Sequence, residues 1–452
     1  MPSDDTMPRR RARVTLAASC LGMLALGANG TAIMAALPTI RDELGLSAGQ
    51  VEWAINAYLV VSAACIIPGG KAGDRLGARR VALAGLALFA LASLVVATAW
   101  SPVALLGGRA LQGLAAALAV PATLAAVNAA QAPERRAAAI GAWAGFLMLG
   151  FSLGPLIGGA LTHLVGWRVI FWASGAAMLV ASGGFLGAAA PLAAHRGGRL
   201  DGAGFVLLAV FMTALVSALH ALPTVTQAPL DFVALLVLAG GSFVALHRVE
   251  RRAPDPLIDL GLLADRGFVR ATVLGSIAMA CILALLLFYN LHAQSPAGLG
   301  LTPVGAGLSL LPMSGGLLIF AFAAPALIRR FGPRATLTAG TLAIGLAAAA
   351  VAAAASFPVW APLLLALFAI GAGLALPYAT APRLALAALP AAQAGAGSGV
   401  INACTFLGGS IGVAAGAVAF ALAGLPAVMA LIAVAALGGA WLCRGFGAGV
   451  RP

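Results

Sequence analysis

Arg109 is the one charged side chain that sits well inside an apolar span of this 452-residue chain. Placing a guanidinium there costs from roughly 2.5–3.5 kcal/mol on insertion scales to far more in simulations, and such a residue usually faces a water-filled cavity or a partner. Its surroundings, Leu106-Gly-Gly-Arg-Ala-Leu-Gln-Gly113, put Gln112 and Gly113 three and four residues further on, on the same helical face. That face offers a fixed positive charge and an amide to whatever lies beside it. The plainer alternative is an arginine near a helix end that snorkels to the headgroups. Other side chains able to line a solute path are polar or aromatic residues within apolar runs: Asn29, Asn56, Gln112, Phe146, Tyr289, Asn290 and Asn402. Each could equally be an interhelical hydrogen-bonding residue.

All 13 acidic residues fall in loops or at span ends, so no carboxylate inside a span is available to carry a proton. The five cysteines and five histidines are scattered, without Cys-x-x-Cys pairs or metal-ligand spacing, which predicts no metal site and no disulfide framework. No phosphate-binding loop of the Gly-x-x-x-x-Gly-Lys type is present. The residues therefore predict neither an enzyme nor a cofactor.

The elements that must position these residues are membrane helices. The chain is 62% hydrophobic and 9% charged, with a mean hydropathy of +1.04. A soluble domain carries about 25% charged residues. A span needs about 20 mostly apolar residues. Fourteen candidates meet that, at about 14–37, 51–69, 81–99, 103–127, 138–161, 169–189, 203–222, 231–247, 269–291, 304–327, 335–355, 359–381, 396–421 and 427–443. The run after Arg9, Arg10, Arg11 and Arg13 is long enough to span, so it reads as an uncleaved first helix rather than a signal peptide.

With the N-terminus inside, 23 of the 26 Lys and Arg residues fall on inner segments and two, Arg41 and Arg168, on outer ones. This positive-inside bias predicts both termini in the cytoplasm and turns the +13 net charge into topology rather than a nucleic-acid surface. The chain also repeats. Gly70-Lys-Ala-Gly-Asp-Arg-Leu-Gly-Ala-Arg-Arg80 follows the second span, and Pro325-Ala-Leu-Ile-Arg-Arg-Phe-Gly-Pro-Arg334 the tenth. At an offset of 255 residues Arg75 matches Arg330, Gly77 matches Gly332 and Arg79 matches Arg334. An internal repeat of this kind marks a transporter built from two halves. The expected organisation is a cytoplasmic tail (1–13), a six-helix half (14–189), an inserted helix pair with its flanking cytoplasmic loops (190–268, helices about 203–222 and 231–247), a second six-helix half (269–443) and a cytoplasmic tail (444–452). The polar segments Ala194–Asp201 and His247–Asp265 flank the inserted pair.

Three motifs at these boundaries resemble those of one family. Gly70-x-x-x-Asp74-Arg75-x-Gly77-x-Arg79-Arg80 resembles the signature loop of the major facilitator superfamily. Leu106-x-x-Arg109-x-x-Gln112-Gly113 is similar to a motif of its proton-coupled members, and Gly150-x-x-x-Gly154-Pro155-x-x-Gly158-Gly159 to that of its antiporters. Ala35-Ala-Leu-Pro-Thr-Ile40, Trp53 with Tyr58, and Gly166-Trp-Arg-x-Ile-Phe-Trp172 fit the fourteen-helix drug:proton antiporter branch (EmrB/QacA type). The resemblance implies an all-α fold with 14 transmembrane helices, in which Arg109 tunes proton uptake or release, the loop around Asp74 latches the halves, and the bend of the fifth helix biases transport outward.

Physical readings stand beside those implications. Asp74 is a lone acid among Lys71, Arg75, Arg79 and Arg80, so it can form charge-assisted pairs. Gly150, Gly154 and Gly158 repeat every four residues and make a groove for close helix approach. Pro155 removes a backbone donor and is expected to kink its helix. A similar small face carrying Gly395, Gly397, Gly399, Gly408, Gly409, Gly412 and Gly416 is expected to pack between the halves. In one place the chain departs from the branch: where such antiporters carry an aspartate in the first helix, it has Asn29.

The expected function is efflux of hydrophobic or amphipathic small molecules, driven by the proton gradient, by a monomer in the cell membrane. Its expected partners are substrate, protons and the lipid bilayer, with no nucleic acid. Uniport or solute uptake on the same scaffold is the alternative, and a non-transporting membrane receptor or scaffold a third reading. Without an embedded acid and with Arg109 inside, neutral or anionic substrates are expected over organic cations.

Overall fold

The computed structural model describes residues 6–188, 202–222, 225, 228–253, 256, 258, 260–354, 360–390 and 393–446. The expected loop Ala194–Asp201 with Arg196 and Arg199, residues Asp255 and Asp259, and Arg451 with most of the C-terminal tail lie outside them. Among the described residues the regular structure is helical: α1 (Thr6–Leu44), α2 (Ala48–Leu76), α3 (Ala78–Ala97), α4 (Pro102–Ala130), α5 (Pro133–Leu164), α6 (Arg168–Ala188), α7 (Gly202–Ala221), α8 (Pro229–Glu250), α9 (Arg266–Gln294), α10 (Pro303–Ser309), α11 (Leu311–Ala354), α12 (Trp360–Ala387) and α13 (Ala394–Cys443), with a 3₁₀ turn at Leu260–Ala264. Helix α1 begins at Thr6, so the arginines expected in a tail form its first turns.

Twelve of these helical stretches are long and apolar enough to cross a membrane, against fourteen expected. The difference falls in two places. The expected spans 304–327 and 335–355 share one run, Pro303–Ala353, and 396–421 and 427–443 share another, Ala396–Cys443. Each run contains a break in helical geometry, at Gly332 (φ 79°) in α11 and at Ala423 and Gly424 (φ −152° and 64°) in α13. Both breaks fall in the gaps between those expected spans, and the helical runs continue on either side of them.

The chain divides into two compact units, Met1–Phe205 and Val206–Pro452. In the first, α1 packs on α5 and α6, α4 on α2 and α3, and α3 on α6. In the second, α11 packs on α12 and α13, and α9 on α12 and α13. The expected inserted pair, α7 and α8, falls with the second unit, where Phe211 and Phe243 meet at 5.2 Å between ring centroids.

The backbone itself carries the repeat. Among the described residues only six have positive φ, all glycines, and they form three pairs: Gly45 (65°) with Gly300 (60°), Gly77 (92°) with Gly332 (79°), and Gly166 (107°) with Gly424 (64°). Their spacings are 255, 255 and 258 residues. A left-handed conformation costs an L side chain roughly 1–2 kcal/mol, which is why glycine stands at all six turns. The first pair also repeats its cap. Leu44-Gly-Leu-Ser47 and Leu299-Gly-Leu-Thr302 end in residues whose hydroxyls accept the Gln50 N–H (3.3 Å) and the Gly305 N–H (3.1 Å).

Candidate functional site

The site is built around Arg109, which has no exposed surface. It lies about 10 Å along α4 from Pro102, at 1.5 Å per residue. Snorkelling needs an exposed head, so that alternative falls. Its Nε donates to the Ala54 carbonyl of α2 (2.8 Å). Nη1 donates to Asn29 Oδ1 of α1 (3.1 Å) and to Gln112 Oε1 (2.7 Å), one turn along α4. The guanidinium carbon sits 4.7 Å from the Tyr58 ring centroid, a cation–π geometry. Nη2, also buried, makes no hydrogen bond.

A second ring of polar groups fixes the first. Gln112 Nε2 donates to Ser93 Oγ of α3 (2.9 Å), and Asn29 Nδ2 to Ser174 Oγ of α6 (3.1 Å). Both amides therefore turn their oxygens to the arginine. Ser174 in turn donates to the Ile170 carbonyl (2.7 Å). Five helices, α1, α2, α3, α4 and α6, meet at this network. Among the described residues no carboxylate pairs with Arg109. The magnitudes allow that. Three charge-assisted hydrogen bonds at about 1.5–3 kcal/mol each and a desolvated cation–π contact of about 2 exceed the lower insertion cost and fall mostly short of the simulated one.

Glycine makes the close approach possible. A Cβ at Gly113 would overlap the Tyr58 carbonyl oxygen, so only glycine lets α4 lie against α2 with the Tyr58 ring beneath Arg109. Ser62 Oγ donates to the Gly113 carbonyl (3.1 Å) across the same contact.

The α5 motif packs on α1. A Cβ at Gly150, Gly154 or Gly158 would meet the carbonyls of Leu24, Ala28 or Ala32 in turn, and at Gly154 also the Thr31 hydroxyl. Gly159 and Pro155 are buried beside them. Helix α5 runs unbroken through Pro155. Proline leaves the carbonyl four residues back without its donor. Here that is Phe151, and the Thr31 hydroxyl of α1 donates to it at 3.1 Å, as membrane helices with an internal proline often require.

The signature loop joins α2 to α3. Gly77 supplies the turn between α2 and α3. Asp74, Arg75 and Arg80 are exposed. Arg79 reaches the end of α6, donating to the carbonyls of Phe185 (3.3 Å) and Leu186 (2.8 Å). A cation on the last carbonyls of a helix complements its dipole. Gly70 lies near the Pro121 ring of α4.

The candidate lining residues separate. Asn29, Asn56, Gln112, Tyr289 and Asn290 have 0–1% exposure and present no surface to a solute in this conformation. Tyr289 donates to Ser309 Oγ (2.9 Å) and Asn290 to the Leu286 carbonyl (2.7 Å). Asn402, half-buried, donates to the Ser398 carbonyl (2.9 Å). Phe146 is 40% exposed. The glycine face of α13 lies on α9 of its own unit, where Cβ atoms at Gly408 and Gly412 would meet the carbonyls of Ser276 and Ala280. This corrects the expected place between the halves, and the same four-residue repeat accounts for the contact with α9.

Sequence reasoning missed Ser93 and Ser174, as well as a cluster at the end of α1. Glu43, in the last turn of α1, accepts from Trp167 Nε1 (2.6 Å) and pairs with Arg168, which also donates to the Ala99 carbonyl beyond α3 (3.1 Å). Arg168 lies over the Trp167 ring at 4.3 Å. The Trp-Arg dipeptide is visible in the sequence; its acid, more than 120 residues away, is not.

Comparison with known proteins gives the family. The Major Facilitator Superfamily profile matches residues 19–413. The chain is 30% identical over 409 residues to the tetracenomycin C resistance and export protein of Streptomyces glaucescens, covering 90% of this chain and 75% of that one. It is 30% identical over 413 residues to the methyl viologen resistance protein of Salmonella typhimurium, covering 89% and 81%. Among solved structures, a POT family transporter in complex with 5-aminolevulinic acid superposes with a TM-score of 0.73 at 15% identity, over 97% of this chain and 96% of that one, a likeness of fold.

Proposed function

This chain belongs to the Major Facilitator Superfamily, and from that premise we propose that it exports amphipathic small molecules across a cell membrane, in exchange for protons, by alternating access. The observation that carries the reading is Arg109, a charge held inside a span by neutral groups alone. It stands in a chain similar, over nine-tenths of its length, to resistance and export proteins. A buried charge of that cost is kept where charge movement is the work of the protein. The proton gradient supplies the energy, with no nucleotide or metal.

The drug:proton antiporter branch with fourteen spans is part of the same proposal. The run Ala396–Cys443 has 48 residues, about 72 Å at 1.5 Å per residue, against a hydrocarbon core of about 30 Å. Its break at Gly424 pairs with Gly166, which separates α5 from α6, and the break at Gly332 pairs with Gly77, which separates α2 from α3. Each long run then crosses twice, with both termini cytoplasmic. Phe331 and Leu422 are exposed beside the two breaks, 56% and 80%. In intact cells an impermeant thiol reagent should label Leu422→Cys and spare Phe331→Cys; the opposite pattern overturns the fourteen-span topology.

Neutral or anionic solutes fit a site whose embedded charge is positive. At an effective dielectric near 20, two unit charges 8 Å apart interact by about 2 kcal/mol, roughly thirtyfold in affinity. Methyl viologen is a dication, so the relative named for resistance to it marks the opposite outcome. The test is reconstitution in proteoliposomes with an internal pH dye. Addition of a neutral or anionic amphipathic antibiotic should move protons against the drug, whereas no flux above that of empty liposomes across the panel, or flux with methyl viologen alone, overturns the proposal in whole or in its substrate class.

A further inference from the structure

We infer that Nη2 of Arg109 is the docking point of a small anionic group, supplied either by a free halide or by the acid group of an exported solute. Arg109 has five N–H donors in a fixed fork. Its Nε and Nη1 are used by Ala54, Asn29 and Gln112, while Nη2 is buried and unbonded. The neighbours cannot turn to serve it. Asn29 and Gln112 already spend their carbonyl oxygens on Nη1 and their amino groups on Ser174 and Ser93. Tyr58 presents its ring face to the cation. A buried donor without an acceptor is costly, and more so when it is charged.

The charge leads to the same place. A lone cation in a low-dielectric interior is strongly disfavoured unless an anion meets it, and among the described residues no carboxylate does. Asn29, at 3.1 Å, meets the guanidinium with a neutral amide. The site is therefore short of one negative charge and one acceptor at the same nitrogen. Chloride or a carboxylate supplies both. The inference concerns binding; only its solute arm rests on the export reading.

The experiment uses the full-length protein in detergent, followed by intrinsic tryptophan fluorescence on heating. Sodium chloride and sodium salicylate are each titrated against sodium gluconate at constant ionic strength. Wild type should gain several degrees in Tm along a saturable curve with chloride, salicylate or both. Chloride alone identifies a free ion, and salicylate alone the acid group of a solute. Asn29→Asp places a carboxylate within reach of the same guanidinium, so it should raise Tm in gluconate and abolish the response to both salts. Arg109→Gln, where it folds, should also be unresponsive. A wild-type Tm indifferent to both salts, or a response that survives in Asn29→Asp, overturns the inference. An anion response in a protein that moves no drug in proteoliposomes would leave the inference standing and remove the export reading.

Discussion

Arg109 and Gln112 in α4 correspond, 258 residues on, to Leu367 and Ile370 in α12. The register rests on packing. A Cβ at Gly113 would overlap the Tyr58 carbonyl, and one at Gly371 that of Met313, its match at 255 residues. A Cβ at Gly85 would sit 3.0 Å from the Ala115 carbonyl oxygen, and one at Gly340 3.0 Å from that of Gly373. With the scaffolds so aligned, Asn29, Tyr58 and Ser93 become Ala284, Met313 and Ala348, and Ser174 becomes Ile432, all buried. The first half thus holds a polar, charged centre where the second holds an apolar one. One backbone plan carries both, so packing does not require the charge, and the charge is left to function.

The largest effect should come from erasing that difference. Arg109→Leu gives the first half the residue of the second and leaves Asn29 Oδ1 and Gln112 Oε1 buried without donors. Drug-dependent proton flux in proteoliposomes should fall at least a hundredfold. Arg109→Lys should retain a part, since lysine keeps the charge but loses the planar fork that serves Ala54 and Asn29 together. Full flux in Arg109→Leu would make the two centres functionally equal.

Next come the glycines, at which the halves should agree. Gly113→Val and Gly371→Val both drive a side chain into a carbonyl of the facing helix. Neither contact can relax without separating two helices, so each should cost several kcal/mol. The readout is the monodisperse fraction in mild detergent, expected to fall similarly in both. A tolerant Gly371→Val would break the register on which the comparison depends.

Much of this plan is legible in the amino-acid sequence. Hydropathy finds the apolar helices but divides two of the twelve long runs, and Arg109 stands out because no other charge lies so deep in a span. Gly77 and Gly332 announce the repeat through the basic residues around them. The pair Gly45 and Gly300 is just as regular, but Leu-Gly-Leu-Ser and Leu-Gly-Leu-Thr are quiet strings in a chain with 57 glycines. Lateral neighbours are the part that sequence does not hold. Ser93 and Ser174 look like any small hydroxyls in a helix until α3 and α6 bring them to Gln112 and Asn29. Periodicity fixes which face a residue shares, and says nothing of which helix lies opposite. The same gap misplaces the α13 glycines, whose spacing promises close packing without naming α9.

A smaller effect should follow at the apolar centre. Leu367 is fully buried, and Leu367→Ala should lower stability by about 2–5 kcal/mol. Proton flux per folded molecule should stay within a factor of about two, because no polar group there depends on it. Thermal unfolding and flux measured on one preparation separate the two quantities. Loss of flux at wild-type stability would give the apolar centre a share in coupling.

The smallest effect tests whether the contrast extends to the corner at the end of α1. Glu43, Trp167 and Arg168 match Gly298, Leu425 and Pro426 at the spacings of their neighbouring glycines, so the second half has no such ion pair at that place. The exposed pair itself should contribute only about 0–1 kcal/mol. Trp167 matters more, since it is 1% exposed and its indole N–H has Glu43 as acceptor. Glu43→Gln keeps an oxygen for that N–H and loses the charge, so its cost should be below about 1 kcal/mol and vanish in high salt. Glu43→Ala strands the buried N–H, and about 1–3 kcal/mol should be lost at any ionic strength. Thermal unfolding of both variants at low and high sodium chloride reads the two contributions apart. Equal losses in the two, both removed by salt, would mean that the corner is held by charge alone and that the indole is indifferent to its acceptor.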